Sequence, residues 1–197
     1  METISKIKAT KLLYQKKVTF FDVVDAGKIF GIEKTKTLYV LLQRLEKEGV
    51  IHRITKGKYH FSLKEYNEFE LANFLVTPSY VSLESALSFY GILPQFPYTI
   101  TSITPLKTRK LKYQEREYEY SHLGGDYFWG FTKKERFLIA MPEKALLDEL
   151  YFMAKKLRKI HIQDLNLEGV DKQKLCELCR KYKFVPLQKL IDKIKIC

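Results

Sequence analysis

Histidine and cysteine are scarce in this 197-residue chain, with four His and three Cys. Four scattered histidines leave no Ser/His/Asp arrangement to nominate. The single Cys176-x-x-Cys179 lacks the second pair that a four-ligand zinc site uses; only the terminal Cys197 and an isolated His161 remain to complete it. Leu175, Leu178, Cys179 and Tyr182 fall on one helical face, so Cys179 reads as core, and no metal or cofactor is expected. Glycine is sparse at nine residues, and Gly124-Gly125 has no strand–loop–helix setting, so no phosphate-cradling loop is present. Long apolar runs are missing as well. Nothing approaches a membrane span and no N-terminal run resembles a signal peptide. A cytoplasmic protein without a membrane partner is expected, and three cysteines fit a reducing compartment. Low-complexity tracts and internal repeats are absent.

Negative charge is the other deficit. Lys and Arg number 35 against 23 Asp and Glu, a net charge of +12. Residues 1–66 hold 14 Lys and Arg against 7 acids, net +7, whereas residues 67–197 hold 21 against 16, net +5 over twice the length. Such a concentrated excess suits a polyanionic partner, because neutralised phosphates release counterions. The apolar fraction of 46% supports a real core.

The basic segment has a definite pattern. Thr19 to Gly31 reads as a short amphipathic helix, followed by the turn Ile32-Glu33-Lys34-Thr35 and a second helix from Lys36 to Glu48 that ends at Gly49. Leu38, Leu41, Leu42 and Leu45 recur at i, i+3, i+4 and i+7, so they share a buried face. The opposite face carries Lys36, Val40, Gln43 and Lys47, flanked by Thr37, Tyr39 and Arg44. Gln pairs bidentately with adenine, Val meets a thymine methyl, and Lys and Arg reach guanine or phosphate. Thr35 is the expected N-cap, and the helix start beside Lys34 suits phosphate. A ribbon follows: Val50 to Ile54, a turn at Thr55-Lys56-Gly57, then Lys58 to Phe61, with Arg53, Lys56 and Lys58 as its cations. Helix, turn, helix and basic hairpin is the winged helix-turn-helix order, in which the second helix enters the major groove of duplex DNA and the hairpin flanks it.

Before this unit, Ile4 to Gln15 reads as a helix with Ile4, Ile7 and Leu12 on one side. After it, Lys64 to Leu75 reads as a connecting helix that Thr77-Pro78-Ser79 stops. The chain divides into a DNA-binding domain, 1–66, and a mixed α/β domain, 67–197, giving an α+β protein. In the second domain the patterns give a helix from Ser82 to Tyr90, and strands at Tyr98 to Thr104, Arg109 to Gln114, Glu117 to Leu123, Phe128 to Phe131 and Phe137 to Ala140. A long helix opens at Pro142 and runs to Arg158. Residues 161–166 and 171–196 supply closing helices, broken at Phe184-Val185-Pro186.

Several groups invite a catalytic reading and have a plainer one. Asp148 lies on a helix apolar on almost every side, so it is expected partly buried between Tyr151 and Lys144, held by a structural hydrogen bond or ion pair. Glu115, Glu117 and Glu119 share a strand face opposite Tyr118 and Tyr120, which reads as a solvated face over a tyrosine core. The aromatic stretch from Tyr113 to Phe131, beside Arg109, Lys110 and Lys112, reads as core, with a protein- or RNA-binding surface as the rival. Lys155-Lys156-Leu157-Arg158-Lys159 reads as a solvated helix end, where cations suit the dipole.

Three segments together resemble the AbiEi-type antitoxins, transcriptional regulators of type IV toxin–antitoxin and abortive-infection systems. They are Arg53-Ile54-Thr55-Lys56-Gly57-Lys58-Tyr59, Tyr80-Val81-Ser82-Leu83-Glu84-Ser85-Ala86-Leu87 and Met141-Pro142-Glu143-Lys144-Ala145-Leu146-Leu147-Asp148. The resemblance implies a non-enzymatic repressor that binds inverted repeats at its own promoter as a pair. It also implies a C-terminal domain that counters a nucleotidyltransferase toxin without obligatory direct binding. Its DNA-reading positions would be Lys36, Thr37, Gln43 and Arg44, with Lys56 and Lys58 on the hairpin. Two alternatives stay open: a winged-helix regulator whose second domain senses a ligand or mediates assembly, and a nuclease delivered to DNA.

Overall fold

The computed structural model describes residues 4–196 and is a mixed α+β protein. It forms two compact units, Met1–Asn67 and Glu68–Cys197. Among the described residues no helix is long and apolar enough to cross a membrane.

In the first unit the order is α1 (Lys6–Gln15), β1 (Phe20–Asp22), α2 (Val23–Phe30), α3 (Thr35–Lys47), β2 (Ile51–Thr55) and β3 (Lys58–Phe61). The antiparallel sheet has the order β1-β3-β2, so the hairpin's return strand is central. Phe21 lies opposite Tyr59, and Ile51 opposite Phe61. Gly57, at φ +77°, makes the tight turn between β2 and β3, where a side chain would be strained. Leu38, Leu41, Leu42 and Leu45 of α3 meet Ala9, Leu13, Phe21, Ala26, Phe30 and Phe61 in one core.

Three sequence expectations need correction here. The helix expected over Thr19–Gly31 begins with a strand. Asp22 ends β1 and caps α2, accepting from Asp25 N at 2.9 Å while its own N–H donates to Asp25 Oδ2. This capping box fixes the helix start at Val23. On α1 the buried residues are Ala9 and Leu13, whereas Ile7 is 80% exposed. The helix expected from Lys64 starts only at Glu68. Lys64 instead turns back onto the first unit, its ammonium 4.8 Å from the centre of the Tyr14 ring and its carbonyl 2.6 Å from His60 Nε2.

The second unit contains α4 (Glu68–Leu75), β4 (Tyr80–Val81), α5 (Leu83–Phe89), β5 (Thr99–Thr104), β6 (Arg109–Tyr113), β7 (Arg116–His122), β8 (Phe131–Lys134), β9 (Phe137–Ala140), α6 (Pro142–Ala154), α7 (Lys172–Cys179) and α8 (Val185–Ile194). The six-stranded sheet has the order β6-β7-β5-β4-β9-β8, parallel at β5/β7 and β4/β9. Both edge strands are basic: Arg109, Lys110 and Lys112 on β6, Lys133 and Lys134 on β8. Charged edges discourage further strand addition. Thr77-Pro78-Ser79 does end a helix, α4, but lies inside this unit, where Pro78 O accepts from Thr104 Oγ1 at 2.7 Å.

Pairing registers follow the sequence alternation. Tyr118 and Tyr120 of β7 are buried against α4, with Tyr120 Oη donating to Ala72 O at 2.7 Å and Tyr118 Oη bonded to Glu68. The strand expected at Phe128–Phe131 begins only at Phe131; Gly125–Tyr127 is a turn of 3-10 helix. The helix from Pro142 ends at Ala154, not Arg158. Of residues 161–166, only Ile162–Asp164 form a helical turn.

Candidate nucleic-acid interface

Helix α3 is built as its leucine spacing requires. Leu42 and Leu45 are fully buried and Leu38 is 3% exposed. The reverse face is open: Lys36, Tyr39, Gln43 and Lys47 are exposed, and Val40 is 63% exposed. Lys34 is the N-cap, with no side-chain cap bond, and Thr35 is the first helical residue rather than the cap. The first turn therefore carries Lys34, exposed Thr35 and Lys36, no acid, and amides without a side-chain acceptor. That combination favours an anion.

Two of the positions named from sequence are less available. Arg44 is partly buried; its Nη2 donates to Ile4 O, and its Nε lies 3.9 Å from Glu48. Thr37 is half-buried. On the hairpin, Arg53 and Lys56 are exposed, Arg53 on an edge strand and Lys56 at the turn. Lys58 is half-buried on the central strand, opposite Asp22 of β1. The structure thus brings Lys36, Tyr39, Val40, Gln43 and Lys47 together on one helix face, and leaves Arg53 and Lys56 as the hairpin's exposed cations. Lys8 of α1, absent from the sequence-derived set, joins Thr37, Val40 and Arg44 around a groove. No sequence signal marked it, because α1 was oriented by Ile4, Ile7 and Leu12.

The second unit resolves the other candidate chemistry. Asp148 and Lys144 are wholly buried and paired, with Tyr80, Ser82 and Tyr182 around them. Asp148 accepts from Ser82 Oγ at 2.8 Å, Tyr80 Oη at 3.0 Å and Tyr182 Oη at 3.1 Å, while Lys144 Nζ donates to Tyr80 Oη at 2.9 Å and Tyr182 Oη at 3.0 Å. The Trp129 ring centre lies 5.0 Å from the ammonium. A Cβ on Gly130 would fall 2.9 Å from Lys144 Cγ, so the loop closes over the lysine only as glycine. Burial pulls the Lys144 pKa down against the opposing pull of Asp148, and pushes those of Tyr80 and Tyr182 up. The Lys144 and Asp148 side chains are both enclosed by these neighbours. Ser82, the N-cap residue of α5, gives its hydroxyl to Asp148 and makes no side-chain cap bond.

Arg158 is not a solvated helix end. It is 14% exposed and binds Glu84 at 2.6 Å, Glu119 at 3.3 Å and Glu149 at 3.6 Å. Glu119 also meets Lys110 at 2.8 Å. Glu149 is fully buried and its oxygens make no hydrogen bond. Burial and the Glu84 carboxylate push its pKa up to about 8, against the pull of Arg158. Glu117 is exposed and the Glu115 side chain is 95% exposed, so the three alternating glutamates form no cluster. Among the described residues no three His, Cys, Asp or Glu gather as a metal would require. Cys179 is a buried free thiol; Cys197 lies outside the described residues.

No model of a known protein family matches the chain, and no curated protein matches it.

Proposed function

We propose that the first unit is a winged helix-turn-helix that binds duplex DNA, with α3 in the major groove and the β2–β3 hairpin against the backbone. The observation that carries this reading is the two-sided character of α3. Its leucines are buried to the last, yet its reverse bears Lys36, Val40, Gln43 and Lys47 in the open. The element order α1-β1-α2-α3-β2-β3 and sheet order β1-β3-β2 also support it. Gln43 and Val40 supply base-edge chemistry; Lys36, Lys47, Arg53 and Lys56 supply phosphate contacts. By the resemblance, the protein is a repressor of its own operon, paired on inverted repeats, whose second unit counters a nucleotidyltransferase toxin.

Fluorescence anisotropy with the duplex upstream of the protein's own reading frame, and with an unrelated duplex, tests this. Binding should weaken steeply with salt. Lys56→Ala should weaken both duplexes alike and lower the salt slope by about 1, whereas Gln43→Ala should narrow the difference between them by about 1–3 kcal/mol. Failure to bind either duplex at low salt refutes the proposal.

A further inference from the structure

Between α1 and α3 lies a groove of 540 Å³, within the usual range of small-molecule sites. Its floor is apolar, formed by buried Phe30 and Leu41 and part-buried Leu12 and Ile32. Val40 stands at its mouth, 63% exposed. Arg44 Nη2 of α3 donates to Ile4 O on the approach to α1, and Lys6 Nζ of α1 donates to Glu48 O just after α3 at 3.0 Å. The charged groups lining the groove are both cations, Lys8 and Arg44. One N–H of Arg44 serves Ile4, and its buried Nε lies 3.9 Å from Glu48. Thr37 adds a hydroxyl to the lining.

An apolar floor with two cations at its lining matches a ligand with an apolar body and one anionic group. We propose that this groove binds a small apolar carboxylate or sulfonate, its body over Leu41 and Phe30 and its charge between Lys8 and Arg44. Thr37, Val40 and Arg44 belong to α3, so an occupant alters the helix face that meets DNA. The ligand therefore acts as an effector that weakens DNA binding. That coupling rests on α3 being the DNA-reading helix; the binding site itself does not.

The full chain titrated with anilinonaphthalene sulfonate, followed by fluorescence, tests the site. Saturable binding of one probe per chain is expected, displaced by decanoate but not by acetate at equal concentration. Val40→Glu puts a carboxylate at the mouth and should weaken binding by about tenfold or more. Lys8→Gln should weaken it severalfold, and Ile7→Glu, on exposed α1 surface outside the groove, should leave it unchanged. Absent or unsaturable binding, or Val40→Glu binding like wild type, overturns the site. In a second arm, anisotropy of a labelled duplex at low salt is read with decanoate and with acetate. Selective release by decanoate supports the effector role. A bound duplex that decanoate leaves untouched overturns that role. A duplex that never binds also overturns it, and with it the DNA reading, while the probe result still decides the site.

Discussion

Asp148 shows how much one carboxylate can hold. It ties α6 to β4 through Tyr80, to the start of α5 through Ser82, and to the segment after α7 through Tyr182. Asp148→Ala leaves Lys144 buried without its counter-charge and should cost about 3–5 kcal/mol, read by urea denaturation. The double replacement Lys144→Met with Asp148→Leu removes both charges together and should recover part of that loss. A double mutant less stable than Asp148→Ala would contradict the pairing. Glu149 poses the opposite case. Its folded pKa, about 8, is raised above the ordinary value of 4.5, so the folded form holds a proton that the unfolded chain has released. Its contribution to stability is complete below pH 4.5 and is lost as pH rises through 8. Glu149→Gln should therefore be more stable than wild type at pH 8, by on the order of 1–3 kcal/mol, and should flatten the decline. Melting curves at pH 5 and pH 8 decide this: equal shifts at both would place the effect elsewhere.

At the scale of elements, α3 separates stability from recognition by face. Leu42→Ala opens a core cavity and should cost about 2–5 kcal/mol, whereas Val40→Ala should change thermal stability by less than about 0.5 kcal/mol. Loss of stability on the Val40 side would mean that this face is packed. The helix was legible because four leucines at 3.6-residue spacing leave one burial solution. Strand β1 was not: Phe20-Phe21-Asp22 is too short for an alternation signal, and its apolar residues also fit the helix that follows. Pairing with β3, some forty residues on, decides its conformation. The two-residue strand β4 escaped for the same reason. Arg158 was misread because its three carboxylate partners come from α5, β7 and α6. Local charge pattern suggests solvent; only the tertiary fold supplies the acids. The partial burial of Arg44 was not legible either, since its partner is a backbone carbonyl on the approach to α1.

At the scale of the whole molecule, the two units contain titrating groups of opposite sign. His60, 6% exposed among Phe20, Tyr66 and His52, has its pKa lowered, chiefly by burial. Its neutral ring contributes stability present above the ordinary His value of 6.5 and lost as pH falls below it. Amide protection factors in the first unit, taken against the intrinsic exchange rate at each pH, should therefore fall below pH 6.5, while Glu149 loosens the second unit as pH rises; His60→Phe should remove the acid effect alone. Amide NMR of the full chain during titration with its upstream duplex most directly tests the central claim, that the reverse of α3 meets DNA. Perturbations concentrated at Lys36, Tyr39, Val40, Gln43, Lys47, Arg53 and Lys56 are the predicted result. A bound complex whose perturbations leave α3 untouched and fall in the second unit would contradict it.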